Sequence, residues 1–216
     1  MTNTEKNWDF DKWSENYDET VLDENWIHDG YTEIIKKVAG IILKYSSSKN
    51  IKLLDIGAGT GNLISKLQTQ ENIEFWAVEP SRGMREKLSE KCGNIKIIDG
   101  MLPEMQEIPE KFDVIVSTYA IHHVKHENTE HMVDNICKHA NKNCLALFAD
   151  VMFESKEDYQ NHIAELKRKN ITERAYDLDD EYFQYVDVLT DVFKKHGFMV
   201  KDDRQNFYTH IFRALR

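Results

Sequence analysis

Five short, nearly continuous apolar runs constrain the fold of this chain more than any other feature. They are IKLLDI (51–56), IEFWAV (73–78), IKII (95–98), DVIVS (113–117) and CLALFADV (144–151). Runs that stay apolar at successive positions belong to strands buried on both faces. Between them the pattern turns helical, over about 61–70, 81–91 and 126–139. Such alternation builds βαβ units around a parallel sheet with helices on both sides. Two further helices are predicted at 155–169 and 180–196, followed by FMVKD and the alternating NFYTHIFRAL as an antiparallel strand pair. Upstream, Ile27, Tyr31, Ile34, Ile35, Val38, Ile41, Ile42 and Tyr45 mark a helix across 26–45. A short aromatic and polar segment, WDFDKWSENYDETV, comes before it.

The bulk properties narrow the function. A length of 216 residues suits one large domain with an ample core. The expected division is an N-terminal helical lid and first helix (1–48), a cofactor-binding core (49–151), an insertion (152–185), and a final helix with a strand pair (186–216). No window approaches a membrane span, and the polar start MTNTEKNWDFDKW lacks the apolar core of a signal peptide. Three cysteines without a CxxC pair read as reduced thiols, so a cytoplasmic location is expected. The net charge of -10 disfavours nucleic-acid backbones, and the lysine clusters at 36–37, 167–169 and 194–195 fall on solvated helix faces. A small molecule is the expected partner, for a monomer or a homodimer.

The strongest local signal is LLDIGAGTG (53–61), in which Gly57, Gly59 and Gly61 follow a buried strand. Glycines let the chain turn sharply and bring bare backbone against a ligand. Dinucleotide folds favour G-x-G-x-x-G, but position 62 is Asn and the spacing here is G-x-G-x-G, which argues against a nicotinamide dehydrogenase. Asp55, two residues before the first glycine, would crowd a pyrophosphate and suits a ligand with an ammonium group. Glu79 ends the second strand, where a carboxylate can accept both hydroxyls of a ribose; otherwise it is a surface acid ahead of a Pro-Ser helix start. Asp99 ends the third strand, placed either to accept from an adenine amino group or to form an Asp-Gly turn. Three strand ends thus offer partners to an amino acid, a ribose and an adenine in sequence.

The motifs LLDIGAGTG, VEPS, IIDG and FDVIVSTYAIHHV, in this order, resemble those of class I S-adenosylmethionine (SAM)-dependent methyltransferases across residues 51–151. With VEPSRGMREK, VSTYAIHHV and LFADVMF, most of the chain resembles the small bacterial YrrT-type methyltransferases. The resemblance implies an α/β, Rossmann-like sheet of seven strands in the order 3-2-1-4-5-7-6, with strand 7 antiparallel. It implies a SAM site made by Asp55, Gly57, Ala58, Gly59 and Gly61, by Glu79, Pro80, Ser81 and Met84, by Asp99, Gly100 and Met101, and by Ser117 and Tyr119. Within it Asp55 and Gly57 meet the methionine part, Glu79 the ribose, and Met84 and Asp99 the adenine. The implied activity is methyl transfer to a small acceptor. The same domain also serves non-methylating transferases and SAM-binding regulators without turnover.

Methyl transfer requires an acceptor lone pair about 3 Å from the methyl carbon, and a base if the acceptor begins protonated. His122 and His123 follow the fourth strand, with three readings open: metal binding, packing or capping, and an active-site role for one of them. No cysteine or carboxylate completes a metal set at a known spacing, so no metal is expected. Related methyltransferases carry the polar group at the second place, which singles out His123; Asp150 is a weaker candidate or a loop acid. Trp8, Phe10, Trp13 and Tyr17 are either a core stripe or one wall of the site. Their segment resembles an entrance helix whose tyrosine reaches the cofactor, which makes Tyr17 the second catalytic candidate. Tyr159, Tyr176, Tyr182 and Phe183 of the insertion are expected to complete the acceptor wall.

Overall fold

The computed structural model describes residues 10–22, 28–105, 108–171, 178 and 181–216. Trp8, Tyr176 and the side chains of Phe10 and Trp13 lie outside what is described. The strands are β1 (Ile51–Ile56), β2 (Ile73–Val78), β3 (Ile95–Ile98), β4 (Phe112–Thr118), β5 (Ala140–Phe153), β6 (Gln184–Tyr185), β7 (Met199–Lys201) and β8 (Thr209–Leu215). They form one open sheet in the order β3-β2-β1-β4-β5-β8-β7. β1 to β5 run parallel, β8 lies antiparallel to β5 and to β7, and the two residues of β6 pair with the end of β5 at Met152 and Phe153. Without that short addition the order is the expected seven-stranded one.

Buried side chains alternate between the two faces. Along β1, Ile51 and Leu53 join one core cluster while Leu54 and Ile56 join the other. Along β5, Leu145, Leu147, Ala149 and Val151 face the first cluster, and Cys144, Ala146, Phe148 and Met152 the second. The first face is covered by α3 (Tyr31–Ser46), which presents Ile34, Ile35, Val38 and Ile42 at helical spacing. The second is covered by α6 (Thr129–His139) and α8 (Val186–Lys195), through Met132, Val133, Ile136, Leu189 and Phe193. Each such side chain contributes roughly 1.5–3 kcal/mol when withdrawn from water.

Several expected helices begin or end elsewhere. The segment after the glycine turn is helical only over α4 (Ile64–Leu67), because Gly57, Gly59 and Gly61 have φ of 70°, 55° and 85°. A right-handed helix cannot start inside such a left-handed turn. α5 (Arg82–Lys91) starts where Ser81 Oγ accepts from Met84 N at 3.1 Å, and α7 (Lys156–Arg168) where Ser155 Oγ accepts from Asp158 N at 3.2 Å. The helix expected from 180 begins at Val186, because Gln184 and Tyr185 are drawn into the sheet as β6. Among the described residues no helix is long and apolar enough to cross a membrane.

The chain leaves β1 toward β2 and β3, but leaves β4 toward β5 on the other side of the sheet. Neighbouring β1 and β4 therefore frame the topological switch point, where ligands of open α/β sheets bind beyond the C-terminal strand ends. Two short N-terminal helices, α1 (Phe10–Ser14) and α2 (Tyr17–Leu22), belong to that end of the molecule.

Candidate functional site

A cavity opens beyond the ends of β1 and β4. Ile56, Gly57 and Gly59 line it from the glycine turn; Glu79, Pro80 and Met84 from the β2–α5 junction; and Met101 and Leu102 from beyond β3. Tyr119, Ala120, His122, His123 and Val124 follow β4, Tyr17 and His28 come from the N-terminal region, and Glu181 from the insertion.

The three glycines do different work. The amide of Gly57 donates to Val78 O at 2.8 Å, and a Cβ on Gly57 would stand 2.4 Å from Ala120 Cβ. That contact presses the turn after β1 against the turn after β4. A Cβ on Gly61 would meet Leu88 Cδ1 at 2.5 Å and Cys92 Sγ at 3.0 Å, so Gly61 permits packing on α5 and lies off the cavity. Gly59 alone has space, its added Cβ reaching only Tyr17 Cε1 at 3.8 Å, and its amide donates to Glu79 Oε2 at 2.9 Å.

Two carboxylates sit behind this turn. Asp55 is fully buried, and neither oxygen has a hydrogen-bond partner. Burial and the nearby charge of Glu79 push its pKa up to about 7. It stands beside Ile56 and Gly57 of the cavity wall without lining the wall itself. Glu79 is 5% exposed and accepts from the amides of Gly59 and Ser81, both at 2.9 Å. Burial pushes its pKa up against the opposing pull of those two amides. Each oxygen keeps lone-pair capacity for a ligand hydroxyl.

Other expected residues are placed differently. Asp99 has a side chain 67% exposed, pairs with Arg85 Nη2 at 3.0 Å, and neither it nor Gly100 lines the cavity. The Asp99 carboxylate is thus directed toward solvent and Arg85. Ser117 is buried and donates to Ile56 O at 2.7 Å, tying β4 to β1, while Ser81 caps α5. Neither serine lines the cavity, nor does Ala58. In the insertion, Tyr159 packs on Phe153, Phe183 is 1% exposed beside His122, and Tyr182 donates its amide to His122 O. Among the described residues the insertion's contribution to the wall is Glu181, which the aromatic pattern did not single out.

The histidines form a double pair. His122 Nδ1 lies 2.6 Å from Asp150 Oδ1, and Asp150, fully buried, also accepts from the amides of Ile121 (2.9 Å) and Val151 (2.7 Å). Burial works against the His122 imidazolium, but the Asp150 carboxylate outweighs it and raises the pKa. His123 Nδ1 lies 3.3 Å from Glu181 Oε2, with the two imidazole centroids 4.1 Å apart. Burial and then the adjacent His122 push the His123 pKa down, against the pull of Glu181. Gln184, fully buried, holds the insertion in place by donating to Val124 O at 2.7 Å and accepting from Thr129 Oγ1 at 2.7 Å. His28, unnoticed in the sequence, packs against Tyr119 at 5.5 Å, and burial followed by the charge of His122 lowers its pKa to about 4. Tyr119 itself has φ of 51°, an uncommon conformation for a bulky residue.

The N-terminal helices reach this site through polar anchors. Asp11 Oδ1 accepts from Ser81 Oγ at 2.6 Å and from Gly83 N at 3.0 Å. A Cβ on Gly83 would stand 2.5 Å from Ser14 Oγ, so the close docking of α1 on α5 depends on that glycine. Asp18 accepts from Thr60 Oγ1 at 2.5 Å and Asn62 Nδ2 at 3.1 Å, and pairs with Lys91 at 2.7 Å. Between these anchors Tyr17 lines the cavity, and Val21 is fully buried in the first core cluster. The segment thus both lines the cavity and joins the core.

A mixed sheet with five parallel strands and this switch point, a G-x-G-x-G turn and acids at the ends of β1 and β2 defines the class I SAM-methyltransferase architecture. A methyltransferase-domain family matches residues 53–143. The chain is 35% identical over 211 residues to an uncharacterized methyltransferase of Anoxybacillus flavithermus, covering 96% of each protein. It is 31% identical over 208 residues to the uncharacterized methyltransferase YrrT of Bacillus subtilis, again covering 96% of each. Magnesium protoporphyrin IX methyltransferase from Synechocystis PCC 6803, solved with SAH, shares the fold at a TM-score of 0.68 and 14% identity, over 88% of this chain and 85% of that one. This chain belongs to the SAM-dependent methyltransferase family that includes YrrT. Its methyl donor is SAM. The residues are of the kinds that molecule needs: Asp55 offers a buried carboxylate without a partner, and Glu79 offers another beside the space at Gly59.

Proposed function

We propose that this protein methylates a small molecule in the cavity between the glycine turn and His122–His123. The observation that carries this reading is the continuity of the cavity, which joins Gly57, Gly59 and Glu79 at one end to His122, His123 and Glu181 at the other. Asp55 and Gly57 would hold the methionine part of SAM, Glu79 its ribose, and Met84 with Pro80, Met101 and Leu102 would enclose the adenine. SAM supplies an electrophilic methyl carbon on a sulfonium. Tyr17 and Tyr119 would help exclude water, their aromatic faces suiting a cationic centre. His123, with Glu181 at Nδ1, would take a proton from the acceptor, and Asp150 would orient His122 beside it. The three free cysteines, Cys92, Cys137 and Cys144, suit the reducing cytoplasm. The reading includes a single domain, monomeric or homodimeric, with no nucleic-acid partner.

Mass spectrometry tests the activity. Incubation with trideuteromethyl-SAM and a small-molecule cell extract should yield a labelled small product. Label confined to protein or nucleic-acid fractions, or no label at all, would refute the proposal.

The ribose and adenine roles separate cleanly. Glu79→Ala removes a buried acceptor and should weaken SAM by about tenfold or more, since hydrogen bonds to charged groups contribute roughly 1.5–3 kcal/mol. Asp99→Asn alters an exposed carboxylate paired with Arg85 and should change affinity by less than about twofold, as exposed ion pairs contribute little. Calorimetry on both variants checks this, and a larger loss at Asp99 would return the adenine contact to that residue.

A further inference from the structure

We infer that the methyl acceptor is an amine, whose N–H groups donate to Glu181 and whose surplus proton passes to His123. The inference rests on the methyl-transfer reading above and names its substrate class.

Charge at the acceptor end carries the argument. Among the described residues, no lysine or arginine lines the cavity, so none of them offers a carboxylate or phosphate acceptor a counter-charge. Asp150 already has His122 as its partner across 2.6 Å, together with two backbone amides. Glu79 belongs to the cofactor end, where two amides already hold it. That leaves Glu181, whose side chain is 10% exposed and whose carboxylate has His123 as its side-chain partner among the described residues. A carboxylate buried to that extent is costly unless a cation or several donors meet it. An ammonium supplies both.

The reaction chemistry points the same way. Thiols and phenols react as anions, and the Glu181 carboxylate would oppose their ionisation. An amine reacts as the neutral base formed when an ammonium loses one proton. The positive sulfonium beside it favours that neutral form. Burial and the adjacent His122 favour a neutral His123 able to accept the proton, and Glu181 at Nδ1 steadies the imidazolium that results. The nitrogen lone pair then forms the N–CH3 bond as the S–CH3 bond breaks, its electrons remaining on sulfur and the positive charge moving to nitrogen. Glu181 is held at this position because Tyr182 and Gln184 bind the backbone of the histidine turn.

Two measurements test the inference. Protein saturated with S-adenosylhomocysteine is titrated with 2-phenylethylamine and 2-phenylethanol, matched in size and suited to the His28 and Tyr119 rings. The amine should bind about tenfold more tightly or better. Glu181→Gln should erase the preference and Glu181→Asp preserve it, with S-adenosylhomocysteine affinity reporting that both variants are folded. Equal affinities, a preference for the alcohol, no binding of either, or a preference surviving in Glu181→Gln would overturn the inference. The labelled product from trideuteromethyl-SAM and cell extract distinguishes the two levels. A label on nitrogen supports the amine; a label on oxygen, sulfur or carbon overturns it while leaving methyl transfer intact; no labelled small molecule defeats methyl transfer itself.

Discussion

Replacing Gly59 by arginine is expected to abolish SAM binding and leave a folded domain. Gly57 and Gly61 are poor places for such a test, because a Cβ at either would stand within 2.5 Å of a packed neighbour and damage the fold. At Gly59 the nearest atom to an added Cβ is 3.8 Å away, so the new side chain extends into the cavity between Tyr17 and Glu79. There its guanidinium would meet the buried Glu79 carboxylate and occupy the space assigned to the ribose. The left-handed φ of 55° adds about 1–2 kcal/mol of backbone strain, which a domain this size can absorb. SAM affinity should fall by more than about a hundredfold, beyond roughly 2.7 kcal/mol. Calorimetry decides this, with thermal unfolding to establish that the variant is native. Affinity near that of the unaltered protein would place the cofactor elsewhere.

The elements that sequence reasoning found are those dictated by local rules. Successive apolar residues in IKLLDI and IEFWAV could satisfy only strands buried on both faces, and β1 and β2 span these segments without change. The positions needing positive φ after β1 could be read from their glycines, and Glu79 from its place at a strand end. What escaped were contacts between segments far apart in the chain. Glu181 meets His123 across 58 residues, held there by Gln184, whose two-residue strand is too short to leave a periodic signal. The objection to a carboxylate beside His122 and His123 was one of sequence spacing, and folding removes it. Asp150 could be read as a weaker site candidate or as a loop acid; its burial against His122 depends on the pairing of β4 with β5. In the N-terminal segment the aromatics drew attention, whereas Asp11 and Asp18 do the anchoring. Gly83 carried no signal at all, since its use appears only when α1 lies on α5. The exposure of Asp99 and its pairing with Arg85 were not legible either, because a strand-end acid reads alike whether it faces a ligand or solvent.

Asp55 offers the sharpest link between stability, pH and the cofactor. A carboxyl pKa of about 7 in the folded protein, against 3.8 for the group in the open, means that the folded state holds an extra proton between those values. Stability of the ligand-free protein should therefore fall as pH rises from about 4 through about 7, and Asp55→Asn should lessen that fall. Binding of the SAM ammonium should reverse the balance by drawing Asp55 into its ionised form. The most direct measurement is calorimetric titration of SAM at pH 7 in two buffers of different ionisation enthalpy, on the unaltered protein and on Asp55→Asn. The unaltered protein should release about half a proton on binding, because a group with its pKa at the working pH is half protonated. Asp55→Asn should release none and bind about 10- to 100-fold more weakly, the loss of one charged hydrogen-bond partner. Equal affinity and equal proton release in the two proteins would contradict a SAM site built on Asp55.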